Sequence, residues 1–282
     1  MKYIRKFNSS QERDAALANV GFDVLAGVVS GGTITVEMHE AVQPNYFYVE
    51  DASGSANTLS IAKSYTNAPT IEVFSSTDGN NWTSMGNTST TAITATVPAN
   101  GKLYLKATAN TWANYDEDEE EYGINSIIAS GSYNVGGNIM SLLNGDNYQS
   151  SSFSSINECA FLGLFYRLGG YNTKIISAAN LVLPNNTCAS CYDDMFVQCT
   201  ALTTAPVLPA TTLARLCYYQ MFSGCTSLNE VTTYANDISA TNCLTNWLSG
   251  VATTGDFYNL GGATYESGAS GIPSGWTVHT SL

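Results

Sequence analysis

The residues of this sequence with the most possible chemical roles are its seven cysteines. Cys188-x-x-Cys191, followed by Cys199, has a spacing that suits thiolate ligands of zinc. Cys191 and Cys199 recur 26 residues later as Cys217 and Cys225, whereas Cys188 has no such counterpart. Thiols that recur with a repeat stack in columns inside a folded core, so we interpret them as reduced packing groups. A metal site and disulfide bonds are the alternatives.

No set of residues suited to acid–base or nucleophilic catalysis stands out, and histidine is scarce. The two histidines, His39 and His279, lie near opposite ends of the chain, and each is expected to be exposed rather than part of a catalytic triad. No pair of carboxylates stands out as the acid and base of a glycoside hydrolase. We therefore predict a protein that is not an enzyme, with no catalytic residue, no metal and no cofactor.

Two polar motifs have structural interpretations. The run from Asp116 to Glu121 (DEDEEE) lacks the glycine and ligand spacing of an EF-hand loop, so it predicts a solvated loop or domain junction, with a calcium site as the alternative. The segment STDGNNW (76–82) resembles the Asp-box turn of sialidases, although its glycine lies one position early. Asp78-Gly79 predicts a hairpin turn with a buried aromatic residue, Trp82, after it.

The charge distribution argues against a nucleic-acid partner. The net charge is −13, and only ten residues are Lys or Arg, too few for a phosphate-binding surface. Four of these ten lie within the first thirteen residues, which leaves a short basic end on an acidic body. A solvated end is one interpretation. We predict instead that this end docks on an acidic protein surface, through Lys2, Tyr3, Ile4, Arg5, Lys6 and Phe7.

The amino-terminal segment also bears on export. MKYIRKFNSSQERDAALANVGFDVL has polar and charged residues where a signal peptide has its apolar core, and no later stretch has the length of a membrane span. We expect a protein that is made in the cytosol, is not exported by the general route and does not insert into a membrane.

Patterning predicts a mainly β fold in three parts. Residues 1–25 form an arm with a short strand at Tyr3–Phe7 and a helix from Gln11 to Asn19, whose capping box is Ser9 and Glu12. Residues 26–125 alternate apolar and polar side chains in six or seven short strands, which predicts an Ig-like β-sandwich. These predicted strands include Thr33–Met38, Tyr46–Val49, Leu59–Ile61, Ile71–Phe74, Ile93–Val97 and Leu103–Leu105. Residues 126–282 contain the repeat, which a tail around Trp276 would close as a C-terminal cap.

The repeat is visible in two neighbouring copies. LPNNTCASCYDDMFVQCTALTTAPV (183–207) is followed by LPATTLARLCYYQMFSGCTSLNEV (208–231). A degraded third copy has Cys243 and Trp247 in the places of Cys217 and Met221, and a stretched upstream copy contains Phe161 and Phe165. Self-similarity at this period predicts a solenoid in which each unit stacks on the next.

The unit at 208–228 closely resembles the BspA-type leucine-rich repeat in its LP start, its MF pair and its GCTSL ending. This resemblance implies a curved, short leucine-rich-repeat-like solenoid with strands near Leu202–Thr204 and Leu228–Glu230. Such repeats serve adhesion and recognition on bacterial surfaces, and they also occur in phages of gut bacteria. MKYIRKFNS and EVFSSTDGNNWTS resemble the front of phage virion proteins, including head-fibre-like proteins of crAss-like phages.

The abundant aromatic residues divide into packing and binding groups. Tyr192 and Tyr218 follow the repeat and are expected to pack in its core. Tyrosine is frequent in binding sites because its side chain gives a large contact area and loses little conformational entropy on binding. We predict surface-binding roles for Tyr219, Phe257, Tyr258 and Tyr265.

Three functions follow from these features. The first is a phage virion protein, a head fibre or capsid decoration, whose arm binds a capsid or other virion protein and whose solenoid recognises a host-surface glycan or protein. Its expected location is the virion, and its expected state is a homotrimer. The second is a bacterial cell-surface adhesin with the same repeat, which the missing signal peptide disfavours. The third, a carbohydrate-active enzyme, lacks a supporting set of residues.

Overall fold

A computed structural model of the chain describes residues 2–7, 22–30, 33–40, 45–64, 66–116, 121–154, 157–166 and 172–281. The chain divides into two compact units, Met1–Asn45 and Tyr46–Leu282. The helix predicted from Gln11 to Asn19 and its capping residues lie outside the described residues.

The first unit is a three-stranded antiparallel sheet. Its strands are β1 (Lys2–Phe7), β2 (Phe22–Ser30) and β3 (Thr33–Glu40), with β3 in the centre. The predicted strand Tyr3–Phe7 is confirmed as part of β1. The strand predicted at Thr33–Met38 also forms, but it belongs to this sheet and not to the following sandwich. A short connection, with Ser30 paired to Thr33, makes β2 and β3 a hairpin and thereby sets their pairing.

The second unit begins with two sheets. Their strands are β4 (Tyr48–Asp51), β5 (Asn57–Lys63), β6 (Glu72–Ser76), β7 (Thr83–Asn87), β8 (Ile93–Val97), β9 (Lys102–Ala107), β10 (Ala113–Asp116), β11 (Glu121–Ala129), β12 (Tyr133–Asn138) and β13 (Ile175–Val182). The four-stranded sheet has the order β10-β11-β5-β8, and the six-stranded sheet has the order β13-β12-β4-β9-β6-β7. Pairing is antiparallel throughout except between β12 and β13.

Alternating side chains from both sheets fill one hydrophobic core. Leu59 and Ile61 of β5 are fully buried, as are Val73 of β6 and Leu105 of β9, and all four belong to one cluster. Residues two apart on a strand share a face, so this alternation places one face of each sheet inward, as in a β-sandwich. The predicted mainly β fold is confirmed.

Helical structure in the described residues is short. After β12, helix α1 (Ser141–Asn144) is followed by a 3-10 helix, Gly145–Ser150. No helix in the described part of the chain has the length and apolar character required to cross a bilayer.

The repeat units stack, with two hydrogen-bonded faces on each unit. One face consists of what we term turn ribbons, residues 158–165, 189–198, 215–224 and 241–250. In a ribbon, alternate N–H groups bond to the next ribbon, as Tyr192 does to the carbonyl of Cys217 (3.0 Å). The N–H groups between them bond within the ribbon, as Met195 does to the carbonyl of Tyr192 (3.2 Å).

In each complete ribbon the chain bends at every fourth residue, where the backbone has a positive φ. In the first complete copy these are Ser190, Asp194 and Gln198, with φ of 52°, 55° and 57°. Residues with side chains rarely adopt this conformation. The ribbon-to-ribbon hydrogen bonds of Ser190, Asp194 and Gln198 supply compensating stabilisation, because each of these residues donates its N–H to the next ribbon.

The opposite face is a parallel ladder with about one strand or bridge per unit. Ser177 in β13 forms an isolated bridge with Thr204, and Leu208 forms another with Thr233. The ladder continues as β14 (Glu230–Thr233), β15 (Gly255–Asn259) and β16 (Trp276–His279), all parallel. We call the ribbons and the ladder together the repeat stack.

Aromatic columns fill the stack between its two faces. One column runs through Phe161, Tyr192, Tyr218, Trp247 and Tyr265, with ring centroids 5.9 to 6.4 Å apart and interplanar angles of 12° to 23°. A second runs through Phe165, Phe196 and Phe222, spaced 4.9 and 5.6 Å apart. The packing predicted for Tyr192 and Tyr218 is therefore confirmed.

The sandwich and the repeat stack are continuous. β12 pairs with β13, which begins the ladder, and Ile127 of β11 donates its N–H to the Leu164 carbonyl of the first ribbon (2.8 Å). Phe47 of the sandwich stacks on Phe165 at 6.3 Å and thus begins the second aromatic column. The domain boundary predicted between residues 125 and 126 falls inside strand β11. The chain is not divided there, because both sheets of the sandwich extend into the stack.

Candidate functional site

The predicted docking segment forms β1. Lys2 pairs with His39 and Phe7 with Ile34, so the segment is an edge strand of the first unit's sheet. All six predicted docking residues, Lys2, Tyr3, Ile4, Arg5, Lys6 and Phe7, therefore belong to this one strand. Docking itself stays a prediction.

The four predicted surface aromatics have different surroundings. Phe257 is completely buried, so its assignment as a surface residue is wrong. It occupies the inward position of β15 and packs edge-on against Trp247 and Tyr265. Tyr265 is half-buried at the end of the first aromatic column, which makes it mainly a packing residue. Tyr219 and Tyr258 are also half-buried, Tyr219 in the ribbon 215–224 and Tyr258 on β15.

Tyr258 belongs to a group of polar residues on the outward face of the ladder. Its ring stacks on that of His279, with centroids 4.7 Å apart and an interplanar angle of 19°. His279 Nε2 donates a hydrogen bond to Asp256 Oδ1 at 2.7 Å. We call Asp256, Tyr258 and His279 the ladder patch.

The ladder register explains how the patch forms. Tyr258 is paired with His279 and Asp256 with Thr277, so all four side chains share the outward face, opposite Phe257. On the neighbouring strand, Thr232 is paired with Tyr258 and extends this face. Strand β16 follows β15 at a shorter interval than the 26-residue repeat, so the repeat period gives no indication that His279 and Asp256 are neighbours.

The ladder patch is suited to binding. A half-buried histidine fixed by a carboxylate and covered by a tyrosine ring offers hydrogen-bonding groups and apolar area on an open surface. Catalysis of the serine-hydrolase type also needs a nucleophile within hydrogen-bonding distance of the histidine. In the described residues, Asp256 is the hydrogen-bond partner of the His279 ring.

The cysteines are reduced and form part of the packing. Cys191, Cys217 and Cys243 occupy equivalent places in three consecutive ribbons, and Cys199 and Cys225 occupy another pair of equivalent places. Burial raises the pKa of these thiols, to about 12 for Cys217, which suppresses the thiolate that metal binding and disulfide exchange require. Cys188 donates its thiol proton to the carbonyl of Asn157, with a sulfur–oxygen distance of 3.0 Å. The interpretation as packing thiols agrees with this burial.

Two adjacent carboxyl groups lie in the first complete ribbon. Burial, and then the charge of Asp194, raises the pKa of Asp193 to about 8, and burial raises that of Asp194 to about 6. Asp194 Oδ1 is buried and receives no hydrogen bond from the described residues. In the next two ribbons the places of Asp193 and Asp194 are taken by Tyr219 and Gln220 and by Thr245 and Asn246. These two carboxyl groups are therefore a local, pH-sensitive departure from the repeat.

The first and last residues of the acidic run lie on two paired strands. Asp116 ends β10 and pairs with Glu121, which begins β11, and residues 117–120 between them lie outside the described residues. The neighbouring cross-strand pair, Tyr115 and Tyr122, is exposed, and its ring centroids are 4.8 Å apart. The loop predicted for this run falls on residues outside the described part of the chain. The calcium alternative concerns side chains outside the described residues.

The predicted hairpin at Asp78-Gly79 is confirmed between β6 and β7. Asp78 accepts hydrogen bonds from the backbone N–H groups of Asn80 and Asn81, both at 2.8 Å, and these bonds lower the pKa of its carboxyl group. Trp82, predicted to be buried, is only half-buried. It lies against Tyr46, at a centroid distance of 4.7 Å, and lines a groove with Phe74 and Lys106.

Comparison of the chain with family models, with curated proteins and with solved structures gave no match. Function is therefore inferred from the chain's own residues and contacts.

Proposed function

We propose that this protein is a non-enzymatic structural protein of a phage virion, a head fibre or capsid decoration, which recognises the host surface through its repeat stack. The main supporting observation is the stack itself. Its interior is filled by columns of buried side chains, while polar and aromatic groups such as Asp256, Tyr258 and His279 occupy its outward face in register. A rigid scaffold with exposed, ordered side chains is suited to recognition.

In this proposal the first unit is the anchor. β1 is an edge strand, and an edge strand can extend a partner's sheet through its backbone groups. Lys2, Arg5 and Lys6 give that strand a positive charge, which favours an acidic surface on a capsid or other virion protein. The resemblance of MKYIRKFNS to the front of phage virion proteins supports the same assignment.

The proposal also includes a finer fold and assembly. The sandwich is taken to be Ig-like, and the repeat stack to be a short leucine-rich-repeat-like solenoid of BspA type. The assembled form is a homotrimer in the virion, since homo-oligomers close by rotational symmetry. Light scattering at micromolar concentration tests this state, and a monomer would contradict it.

The anchor is tested by particle incorporation. Deleting residues 1–20 removes β1 and is expected to abolish incorporation into virions. A second variant, with Lys2, Arg5 and Lys6 all replaced by Gln, keeps the strand and removes its charge, and is expected to reduce incorporation. Normal incorporation of the deletion variant would contradict the anchor.

Host recognition is tested separately at the ladder patch. Tyr258→Ala and His279→Ala are expected to weaken binding of the purified protein to host cells, because they remove the stacked pair. Tyr115→Ala, which removes an exposed tyrosine of the sandwich, is the matched control. Equal binding by all three variants would contradict recognition through the ladder.

The second candidate is a bacterial cell-surface adhesin, which would use the same outward face. The resemblance to BspA-type repeats favours it, because these repeats commonly serve adhesion on bacterial surfaces. Mass spectrometry separates the two functions. The chain in purified particles supports the virion protein, whereas the chain in the envelope of uninfected bacteria supports the adhesin.

A further inference from the structure

We propose that a groove on the sandwich, beside Trp82, binds one neutral hexose unit of a glycan. The groove has a volume of about 420 Å³, within the range of small-molecule sites. It is lined in part by Phe74, Trp82, Lys106, Asn144 and Asp146. The proposal rests on the proposed recognition function and gives it a ligand class, and it adds a second contact site, on the sandwich, to the ladder patch.

The polar groups of the groove converge from separate elements. Lys106 extends from β9 and Asp146 from the 3-10 helix, and their Nζ and Oδ1 atoms are 2.7 Å apart. Tyr46 donates its hydroxyl proton to the same Oδ1, also at 2.7 Å. Both hydrogen bonds end on Oδ1, and the Asp146 side chain is exposed, so Oδ2 has acceptor capacity for a ligand hydroxyl. The Lys106 ammonium has further protons to donate.

The aromatic side of the groove is held in place before any ligand binds. The Lys106 ammonium lies 4.4 Å from the centroid of the Trp82 ring. Tyr46 packs edge-on against Trp82 and also contacts Tyr148, at 4.7 Å in each case, and Tyr148 is buried. The Asp78-centred turn fixes the chain that leads to Trp82. Groups held by such supporting contacts lose little entropy when a ligand binds.

These groups match the surface of a neutral sugar. A pyranose ring has hydroxyl groups that both donate and accept hydrogen bonds, and C–H groups that pack on an aromatic ring. The groove supplies an ammonium donor, a carboxylate acceptor, the amide of Asn144 and the aromatic surface of Phe74 and Trp82. Lys106 and Asp146 compensate each other's charge, and the net charge of −13 repels anions. A neutral hexose is thus favoured over an acidic sugar.

Tryptophan fluorescence of the whole protein provides the test. Of the four tryptophans, Trp112, Trp247 and Trp276 are buried and Trp82 is half-buried. A ligand in the groove should therefore alter mainly the Trp82 emission. The probes are the methyl glycosides of glucose, galactose and mannose, with glucuronic acid and sialic acid as the anionic arm. We expect a saturable change for at least one neutral glycoside, with a Kd on the order of 1 mM.

Variants assign the signal to the groove. Trp82→Ala and Asp146→Asn are expected to abolish or weaken binding at least tenfold in ligand-detected NMR, which does not depend on the tryptophan signal. Tyr115→Ala, an exposed aromatic outside the groove, should bind as the unaltered protein does. Unchanged thermal unfolding of Asp146→Asn will show that its loss of binding is local.

Three outcomes would overturn the proposal. They are no saturable change with any neutral glycoside, undiminished binding by Trp82→Ala, and tighter binding of an acidic sugar. None of them affects incorporation into virions. Failure of the groove and failure of the proposed function are therefore distinguishable.

Discussion

The sandwich and the repeat stack bury their side chains in two different ways. In the sandwich, Leu59 of one sheet and Leu105 of the other meet in one core although they are far apart in the sequence. In the stack, a side chain packs on the same position of the next coil, as Phe196 does between Phe165 and Phe222. The first arrangement depends on all its strands at once, and the second depends on nearest neighbours.

The junction shows how the two arrangements combine. A nearest-neighbour stack needs a template at its first coil, because the backbone groups of that coil would otherwise have no partner on one side. β12 supplies the ladder with a neighbour, and Trp112 and Ile127 donate hydrogen bonds to the carbonyls of the first ribbon. The sandwich therefore acts as the cap of the stack, and the stability of the stack should depend on the sandwich more than the reverse.

We expect the largest difference between the sandwich and the stack in the Trp247→Ala variant. Trp247 is completely buried, stacks on Tyr218 and Tyr265, and donates its indole N–H to the Gly271 carbonyl at 2.9 Å. We expect a loss of about 3–5 kcal/mol in the stability of the last coils. Hydrogen exchange should accelerate in residues 241–279 and stay unchanged in the sandwich. Equal acceleration in both regions would show that the stack is not a nearest-neighbour structure, and Val278→Ala at an exposed site is the control.

Leu105→Ala tests the opposite direction. Leu105 is completely buried in the sandwich core, so truncation should cost about 2–5 kcal/mol. Because the stack depends on its template, we expect exchange to accelerate in the sandwich and the ladder together. Ladder amides that keep full protection in this variant would contradict the role of the sandwich as a cap.

Asp193→Asn sharpens the comparison between coils. The pKa of Asp193 is raised to about 8 in the folded protein, so its contribution to stability is complete below about pH 4 and is lost as the pH rises towards 8. The unaltered protein should lose stability over this interval. The Asp193→Asn variant should lose less stability over the same interval. At pH 8 it should be more stable than the unaltered protein by on the order of 2–4 kcal/mol.

Urea unfolding at pH 4.5 and pH 8 measures this difference. Asp237→Asn is the control, because hydrogen bonds from Ser239 lower the pKa of the exposed Asp237 carboxyl group. That variant should show no gain at pH 8. An equal effect of Asp193→Asn at both pH values would contradict a buried, proton-linked carboxyl group.

Tyr218→Phe should give the smallest effect, with the opposite sign from the core truncations. The Tyr218 hydroxyl group is buried and has no hydrogen-bond partner among the described residues. Removing it should stabilise the protein by about 1 kcal/mol, because the desolvation cost of the hydroxyl group disappears. Phe161 already occupies the equivalent place at the start of this column. Thermal unfolding measures the change, and a loss of stability would reveal a hydrogen bond to Tyr218.

Local pattern was sufficient for much of this fold. The spacing of Cys191, Cys199 and their counterparts predicted the repeat, and alternation predicted strands that match β5, β6, β8 and β9. These features depend on residues close in sequence or on the period. The assignment of β3 to the first sheet and the joining of β12 to β13 depend on pairing between distant segments, which alternation does not specify.

The candidate site was predicted only in part. Tyr258 was identified from its type, but neighbouring Phe257 was assigned to the surface because the register of β15 was not known. The ribbon backbone also escaped prediction, since Ser190 and Gln198 adopt positive φ without being glycines. His279 was interpreted as an isolated tail residue, and its contact with Asp256 follows from the shorter spacing of the last coil.

The equivalence of consecutive ribbons has a consequence for the gene. Each complete coil donates hydrogen bonds to the next coil in the same pattern in which it accepts them from the coil before it. The bonds of Tyr192 to Cys217 and of Tyr218 to Cys243 show this equivalence. An in-frame duplication of one unit would therefore insert a coil that fits both of its neighbours, lengthening the molecule by about 5 Å. Selection can therefore change the length of the repeat stack one coil at a time, while the first and last coils stay unchanged.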